Sequence, residues 1–258
     1  MQGLRYVYKA IDLDQLGLGA EALPDLLTAA ERMGFAGLNI TYPCKQSVVS
    51  LLHELSDDAR ALRAVNTVVL HEGRRIGHNT DWSGFATGFR QGLGDAQLRR
   101  VVQLGAGGAG SAVAHAAMML GAGTLILFDV NEGRARAVAD AVCARFGSGR
   151  AVAGADLPEA MADADGLINT TPVGMAKMPG LPLPARLLRA DIWVADIVYF
   201  PLETELLRAA RARGCRTLGG GGMAVFQAAE AFRLFTGITP DAERMARHFA
   251  ELGTGATT

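Results

Sequence analysis

The stretch Val101-Val-Gln-Leu104-Gly105-Ala-Gly107-Gly-Ala-Gly110 decides the fold. Its first four residues predict a buried strand, and a helix with apolar spacing begins at Ala109. Glycines between a strand and a helix allow a tight turn, close approach of a pyrophosphate and close helix packing. The helix N-terminus adds N–H donors and partial positive charge for phosphates. We therefore predict a dinucleotide site formed by Gly105, Gly107, Gly108, Ala109 and Gly110.

Asp129 ends the next apolar run, Leu125-Ile-Leu-Phe128. A carboxylate at this position can accept hydrogen bonds from both hydroxyls of an adenosine ribose, and it repels a 2′-phosphate. The residue could instead cap the helix that follows. The sequence favours the first interpretation, and with it NAD over NADP.

Regular alternation of strands and helices follows residue 100. Such alternation predicts a doubly wound parallel sheet. We expect strands at Val101–Leu104, Thr124–Phe128, Gly166–Asn169, Trp193–Ile197 and Arg216–Leu218. We expect helices at Ala109–Leu120, Glu132–Arg145, Glu203–Arg213, Ala224–Phe235 and Asp241–Leu252.

The segment before residue 92 is also α/β in pattern. It predicts strands at Leu4–Ile11, Phe35–Ile40 and Val65–Leu70, and a helix over residues 22–33. A further helix begins at Asp81, a suitable N-cap, and runs to about Gln91. The polar stretch Gly92–Arg100 then marks a domain boundary.

Composition excludes several classes of function. The chain of 258 residues has a net charge of -1, is half hydrophobic and contains no block of Lys or Arg, so we expect neither nucleic-acid nor membrane binding. The three cysteines are widely spaced and the five histidines do not cluster, so we predict no disulfide framework and no metal site. The N-terminus lacks the apolar region of a secretory signal, and a cytoplasmic location is expected.

Lys45 is one of three lysines in an arginine-rich chain. Unlike a guanidinium, an ammonium group can exchange its proton, so Lys45 is a candidate acid or base. Asn66 interrupts an apolar run, where burial requires a hydrogen bond to backbone or to a ligand. Asp81 would form a charged dyad with Lys45 if the two side chains lie together.

The chain resembles the shikimate/quinate dehydrogenase family over nearly its whole length. The resemblance lies in motifs that occur in the family's order: Asn-Ile-Thr-Tyr-Pro-Cys-Lys at 39–45, Ala-Val-Asn-Thr-Val-Val at 64–69, Gly-His-Asn-Thr-Asp at 77–81, the glycines at 105–110, Asn-Thr-Thr-Pro-Val-Gly-Met at 169–175, Asp-Ile-Val-Tyr at 196–199 and Gly-Met-Ala-Val-Phe-Gln-Ala-Ala at 222–229.

The resemblance implies a substrate domain (1–92 and 236–258), a Rossmann NAD-binding domain (93–235) and a cleft between them. It implies reversible hydride transfer between a nicotinamide and a cyclitol carboxylate, interconverting shikimate and 3-dehydroshikimate and also quinate and 3-dehydroquinate. Such an enzyme would be a monomer or homodimer. The implied residues are Lys45 and Asp81 for catalysis, Thr41, Asn66, Tyr199 and Gln227 for the substrate, and Asn169, Thr170, Val198 and Gly221 for the nicotinamide end.

Within the family, Asp129 resembles the NAD-using quinate/shikimate branch, as does the run Tyr199-Phe-Pro-Leu-Glu-Thr-Glu205. One family feature is missing: the first strand and helix, with a Ser-x-Ser or Ser-x-Thr pair that holds the substrate carboxylate. A truncated start of an ordinary dehydrogenase and an NAD-binding relic with little turnover both fit this. A folate-type methylene dehydrogenase is a third alternative, but Asn66, Asp81 and Gln227 do not support it.

Overall fold

The computed structural model describes residues 4–255, with side chains up to residue 251. The chain divides into two compact units. The first unit runs up to Asn79 and includes Ala231–Pro240, and the second comprises Thr80–Glu230 and the chain from Asp241 onward.

The first unit holds a four-stranded sheet in the order β1-β3-β4-β2. The β1/β3 and β3/β4 pairs are antiparallel, whereas β2 and β4 are parallel. Its elements are α1 (Leu13–Leu16), α2 (Leu23–Arg32), β1 (Gly37–Asn39), β2 (Glu54–Leu55), α3 (Asp57–Leu62), β3 (Thr67–His71) and β4 (Arg74–His78), with 3₁₀ turns at Ala20–Ala22 and Ser47–Leu51.

Helix α2 confirms the helix predicted over residues 22–33. The apolar residues that recur at helical spacing are the ones that it buries. Leu23, Leu27 and Ala30 lie one turn apart and are all buried. Leu23 and Leu27 belong to a core that also contains Val48, Val65 and Val68.

The predicted strand Leu4–Ile11 is wrong. The segment has no regular secondary structure. Its Tyr6, Val7 and Tyr8 are 58%, 89% and 81% exposed. A strand needs a neighbour for its backbone hydrogen bonds as well as β-branched and aromatic residues. Here the segment contacts the sheet through a side chain, the Tyr8 hydroxyl donating to Asn39 Oδ1 at 3.4 Å.

The second unit is built on a six-stranded, all-parallel sheet in the order β10-β9-β8-β5-β6-β7. The chain runs outward from β5 in both directions, so the strand order reverses between β5 and β8. Its elements are α4 (Asp81–Leu93), β5 (Arg100–Leu104), α5 (Gly108–Met119), β6 (Thr124–Phe128), α6 (Glu132–Phe146), β7 (Ala151–Ala153), α7 (Leu157–Ala162), β8 (Gly166–Asn169), β9 (Trp193–Asp196), α8 (Glu205–Ala212), β10 (Arg216–Leu218), α9 (Gly221–Thr236) and α10 (Ala242–Gly255), with a 3₁₀ turn at Ala185–Leu187.

Helices cover both faces of this sheet. One core combines buried residues of α4, α5 and α6 with Val101, and the other combines α7 and α8 with Val102 and Leu104. Because alternate residues of a strand face opposite sides, β5 contributes to both cores. The predicted doubly wound fold is therefore confirmed, and β7 and α7 are additions to the predicted elements.

Helix α4 packs within the second unit, although the sequence placed it in the substrate domain. The Phe89 ring meets Trp193 edge to face at 4.9 Å, and α4 crosses α9 closely at Gly84 and Gly88. The N-cap of α4 is Thr80, whereas the sequence predicted Asp81, which is the first residue of the helix. The assignment of 1–92 and 236–258 to substrate binding stays a prediction.

Candidate active site

The Gly105–Gly110 loop lies where the strand order of the six-stranded sheet reverses. In open parallel sheets, ligands bind in the crevice at this point, outside the carboxyl ends of the strands. The loop leaves β5 after Leu104 and enters α5 at Gly108. The N–H groups of the first turn of α5 have no partner inside the helix, so they are available to an anion.

The glycines of this loop have different surroundings. Gly105 has a φ of +95°, which favours glycine. A Cβ on Gly110 would lie 2.5 Å from Gly105 O and 2.8 Å from Thr170 Oγ1, whereas Gly107 and Gly108 face open space with no atom within 4 Å. The loop combines a tight turn, close packing and open space, and its role as a pyrophosphate site stays a prediction.

Two side chains hold the first carbonyl of the loop. Gln103 Nε2 donates to Gly105 O at 2.9 Å and to Gly110 O at 2.8 Å. The Thr170 hydroxyl can donate to Gly105 O, at 2.8 Å, or to Leu104 O, at 2.9 Å. The loop is therefore fixed from β5 and from the residue after β8.

Asp129, at the end of β6, also binds the loop. Its Oδ2 accepts from Ala106 N at 2.7 Å and its Oδ1 from Asn131 N at 2.8 Å. The helix cap of α6 is Asn131, whose Oδ1 accepts from Arg134 N. Asp129 thus ties the ends of β5 and β6 together, a structural role for the carboxylate that the sequence did not suggest.

Asn169 and Asp196 form a buried polar network at the ends of β8 and β9. Asn169 Nδ2 donates to Asp196 Oδ1 at 3.0 Å and to Val173 O at 3.1 Å. Asn169 Oδ1 accepts from the backbone N–H and the hydroxyl of Thr171. All four bonding positions of this amide are used inside the protein, so the Asn169 side chain fixes the loop that follows β8.

Asp196 extends the network to the next loop. It is 2% exposed, and it accepts from Val198 N at 3.1 Å and from the Thr204 hydroxyl at 2.7 Å. Burial raises the pKa of Asp196, while these hydrogen bonds and the one from Asn169 oppose that effect. Thr204 in turn caps α8. Asp196 therefore sets the backbone of Val198, which was predicted to line the nicotinamide end.

Val198, Tyr199 and Gly221 lie close together in the second unit. A Cβ on Gly220, the residue before Gly221, would lie 2.7 Å from Val198 O, so the two loops pack backbone to backbone. The rings of Tyr199 and Phe249 are 6.4 Å apart, and a Cβ on Gly221 would lie 3.4 Å from the Phe249 ring.

Asp81 and Gln227 occur near one crossing of two helices. Asp81 is the first residue of α4 and is 2% exposed. Gly84 lies three residues later, on the same face of α4. A Cβ on Gly84 would lie 2.8 Å from Gln227 N on α9. A buried carboxylate and a half-buried amide therefore share this part of the second unit.

In the first unit, backbone hydrogen bonds align Thr41, Lys45 and Asn66. Ile40 N donates to Asn66 O at 2.8 Å, and Val65 N donates to Lys45 O at 2.8 Å. The segment that carries Thr41 and Lys45 is thereby paired at both ends with the start of β3. Three residues predicted to contact the same substrate and its reacting bond thus lie on one strip.

Burial of these three side chains decreases from Asn66 through Lys45 to Thr41. Asn66 is 6% exposed, Lys45 is half-buried and Thr41 is exposed. Asn66 Oδ1 accepts a hydrogen bond from the Thr67 hydroxyl at 3.1 Å. Burial raises the pKa of the adjacent Cys44 thiol, and the charge of Glu21 adds to the effect. Cys44 therefore stays a thiol and contributes to packing.

Comparison with known proteins identifies the family. Residues 1–68 match the shikimate dehydrogenase substrate binding domain, and residues 220–248 match the shikimate 5′-dehydrogenase C-terminal domain. Residues 81–188 match the C-terminal domain of alanine dehydrogenase/PNT. A shikimate dehydrogenase (NADP(+)) of Streptomyces avermitilis is 60% identical over 99% of this chain and 89% of its own length.

The chain belongs to the shikimate dehydrogenase family. A shikimate dehydrogenase (NADP(+)) of Pseudarthrobacter chlorophenolicus is 56% identical over 98% of this chain and 87% of its own. The solved structure of quinate dehydrogenase from Corynebacterium glutamicum in complex with NAD is 49% identical, with a TM-score of 0.86, and the match covers 89% of this chain and 82% of that one. The predicted family and two-part α/β fold are confirmed.

The predicted preference for NAD is wrong. The relatives that are 56% and 60% identical are named for NADP(+), and the structure with NAD is less similar at 49%. The prediction treated the Asp129 carboxylate as directed at a ribose. In the structure both of its oxygens accept backbone N–H groups.

Three residues of this region have a part in the structure but were given no role in the predicted site. They are Gln103, Asp196 and Phe249. Gln103 could have been noticed as a polar residue in the apolar run Val101–Leu104, and Asp196 as an acid at the end of an apolar strand. No local pattern marks Phe249, because its contact with Tyr199 joins distant parts of the chain.

Two further properties concern the residues that the structure describes. None of their helices combines the length and hydropathy needed to cross a bilayer. Nor does this part of the chain gather three or more His, Cys, Asp or Glu side chains in a metal-binding arrangement.

Proposed function

We propose that this protein is an NADP-dependent dehydrogenase that interconverts shikimate and 3-dehydroshikimate, and that it also accepts quinate. The observation that carries the proposal is the Gly105–Gly110 loop at the point where the sheet order reverses, together with family membership. The names of the NADP(+) relatives support the choice of cofactor.

The loop fits a dinucleotide. Gly107 and Gly108 are exposed and leave space for a pyrophosphate, while the first turn of α5 supplies N–H donors. For the 2′-phosphate we propose Arg134, an exposed guanidinium in the first turn of α6. NADP would supply the hydride acceptor for oxidation and, when reduced, the hydride donor for the reverse reaction.

Lys45 and Asp81 are proposed as the groups that handle the proton. In oxidation, Lys45 would remove the hydroxyl proton as the hydride leaves the same ring carbon. In reduction, its ammonium group would return the proton to the carbonyl oxygen. Asp81 is 2% exposed, and a buried carboxylate favours a cationic neighbour. Lys45 belongs to the first unit and Asp81 to the second.

Thr41, Asn66, Tyr199 and Gln227 are proposed to bind the substrate. Hydroxyl and amide groups both donate and accept hydrogen bonds, which suits a ring carrying several hydroxyls. Support comes from the alignment of Thr41 and Asn66 with Lys45 in the first unit.

The test is an assay of the purified chain with shikimate, then quinate, against NADP+ and NAD+, following the absorbance of the reduced nicotinamide. We expect shikimate oxidation with a higher kcat/KM for NADP+. Arg134→Gln should raise KM for NADP+ about tenfold, the size of one lost charge-assisted hydrogen bond, and leave KM for shikimate unchanged. Arg145→Gln, eleven residues further along the same helix, is the matched control. Absence of shikimate and quinate oxidation with either cofactor would refute the proposal.

A further inference from the structure

Gln103 is a polar side chain in the centre of the parallel sheet. It is fully buried, and its strand neighbours across the register are Leu127 on β6 and Ile168 on β8. Placing an amide among such residues costs free energy unless its bonds are made. Its position therefore calls for an explanation beyond packing.

Both amide hydrogens of Gln103 are used on one loop. Nε2 donates to Gly105 O and Gly110 O, the carbonyls at the two ends of the Gly105–Gly110 loop. The orientation of the amide follows from these partners, because Oε1 turned toward two carbonyl oxygens could form no hydrogen bond. Oε1 itself is buried and receives no hydrogen bond from any described residue. The two donated bonds therefore fix which way the amide faces.

Neither carbonyl needs Gln103 to be satisfied. Gly105 O also accepts from the Thr170 hydroxyl, and Gly110 O, inside α5, accepts the N–H four residues later. Loss of the amide would therefore leave no orphaned carbonyl. What the amide adds is a fixed separation of the loop ends, which holds the N–H groups between them in place before a ligand arrives.

We propose that Gln103 is a positioning residue for the dinucleotide pyrophosphate: its amide links Gly105 to Gly110 and keeps the loop in its binding shape. The inference rests on the proposed function in that it takes the loop to bind NADP. It assigns a role to a residue that touches neither the substrate nor the reacting atoms.

The test is Gln103→Met, which keeps an unbranched side chain of similar length without donors. Dissociation constants for NADPH are measured by fluorescence titration, alongside Tm and the KM values. We expect the NADPH constant to rise about tenfold, the effect of one to two lost hydrogen bonds. We expect KM for shikimate, and kcat at saturating NADP+, to change less than about twofold. Tm should stay the same or rise.

Two controls separate positioning from general damage. Leu127→Met places the same side chain on the adjacent strand and should leave the NADPH constant unchanged. The ligand 2′-AMP, which has no pyrophosphate, should bind Gln103→Met and the wild type equally. If Gln103→Met is poorly folded, Gln103→Leu provides the same comparison.

Several outcomes would overturn the inference. They are an unchanged NADPH constant, an equal loss of 2′-AMP and NADPH binding, or a fall in Tm with both KM values altered in parallel. A wild-type chain that binds NADPH but oxidises neither shikimate nor quinate would refute the proposed function alone, since the binding comparison still decides the role of Gln103. A wild-type chain that binds no NADPH overturns both.

Discussion

Alanine at Gly110 and alanine at Gly107 should have opposite effects, although the two glycines lie in one loop. At Gly110, the new Cβ would lie 2.5 Å from Gly105 O, which is held by Gln103 and Thr170 and cannot move away freely. Overpacking of this kind costs about 1–3 kcal/mol. At about 2–4 °C per kcal/mol for a chain of this size, Tm should fall by about 2–12 °C.

At Gly107, the same change meets no atom within 4 Å, and the backbone φ of -78° suits alanine. The free energy of unfolding should stay within about 0.5 kcal/mol of the wild type. The Cβ would instead enter the space proposed for the pyrophosphate. We expect the dissociation constant for NADPH to rise at least about tenfold, or about 1.4 kcal/mol.

The assay combines thermal unfolding without cofactor and NADPH titration for Gly107→Ala, Gly110→Ala and the wild type. Gly110→Ala should be the variant with the lowered Tm, and Gly107→Ala should be the one with wild-type Tm and a raised dissociation constant for NADPH. Wild-type affinity in Gly107→Ala would show that the pyrophosphate does not approach this loop. A wild-type Tm in Gly110→Ala would show that the helix and strand are not packed as closely as the structure has them.

Three other changes test the proposed proton-transfer residue Lys45 and the two carboxyl groups Asp196 and Glu31. Lys45→Arg keeps the charge but cannot exchange a proton readily, so kcat should fall at least about a hundredfold with NADPH affinity retained. As a control, Lys9→Arg at an exposed position should leave both kcat and the affinity for NADPH unchanged. Near-normal turnover in Lys45→Arg would exclude the proton-transfer role. The raised pKa of Asp196 means that the native state binds its proton more tightly than the unfolded state. Wild-type stability should therefore fall relative to Asp196→Asn as pH rises from about 4 through the raised pKa, and a difference independent of pH in urea unfolding would contradict this. The hydrogen bond from Arg75 lowers the pKa of Glu31, so Glu31→Gln should lose about 1 kcal/mol at pH 7. That loss should shrink as pH falls below about 4, and a constant loss would point to packing instead.

The parallel sheet and the glycine loop between β5 and α5 could be predicted because their signals are local. Apolar runs of strand length alternate with helical spacing, and the glycines stand directly between β5 and α5. The short β7 and α7 have too few residues to show a period. Leu4–Ile11 has the composition of a strand, but strand formation also depends on a partner that lies elsewhere in the chain.

The candidate site was predictable only as a set of residue types. Sequence shows a carboxylate at Asp129, yet it does not show that its two oxygens accept hydrogen bonds from Ala106 N and Asn131 N. The same holds for Asn169, whose amide is used by Asp196 and neighbouring backbone. In each case the contacts of the side chain are made only after folding, so a residue type and its spacing do not show them.

The position of β5 in the centre of the parallel sheet has a consequence for biosynthesis. On one side β5 pairs with β6, the next strand in the chain. On its other side it pairs with β8, which is made much later, and Val101 lies opposite Gly166. At about 5–20 residues per second, the ribosome needs roughly 3–13 s to make the intervening chain. For that time the strand that leads into the cofactor loop has an open edge of unpaired N–H and C=O groups, and such edges promote association with other chains. The strand order itself therefore leaves β5 open to pairing with other chains until β8 has been made.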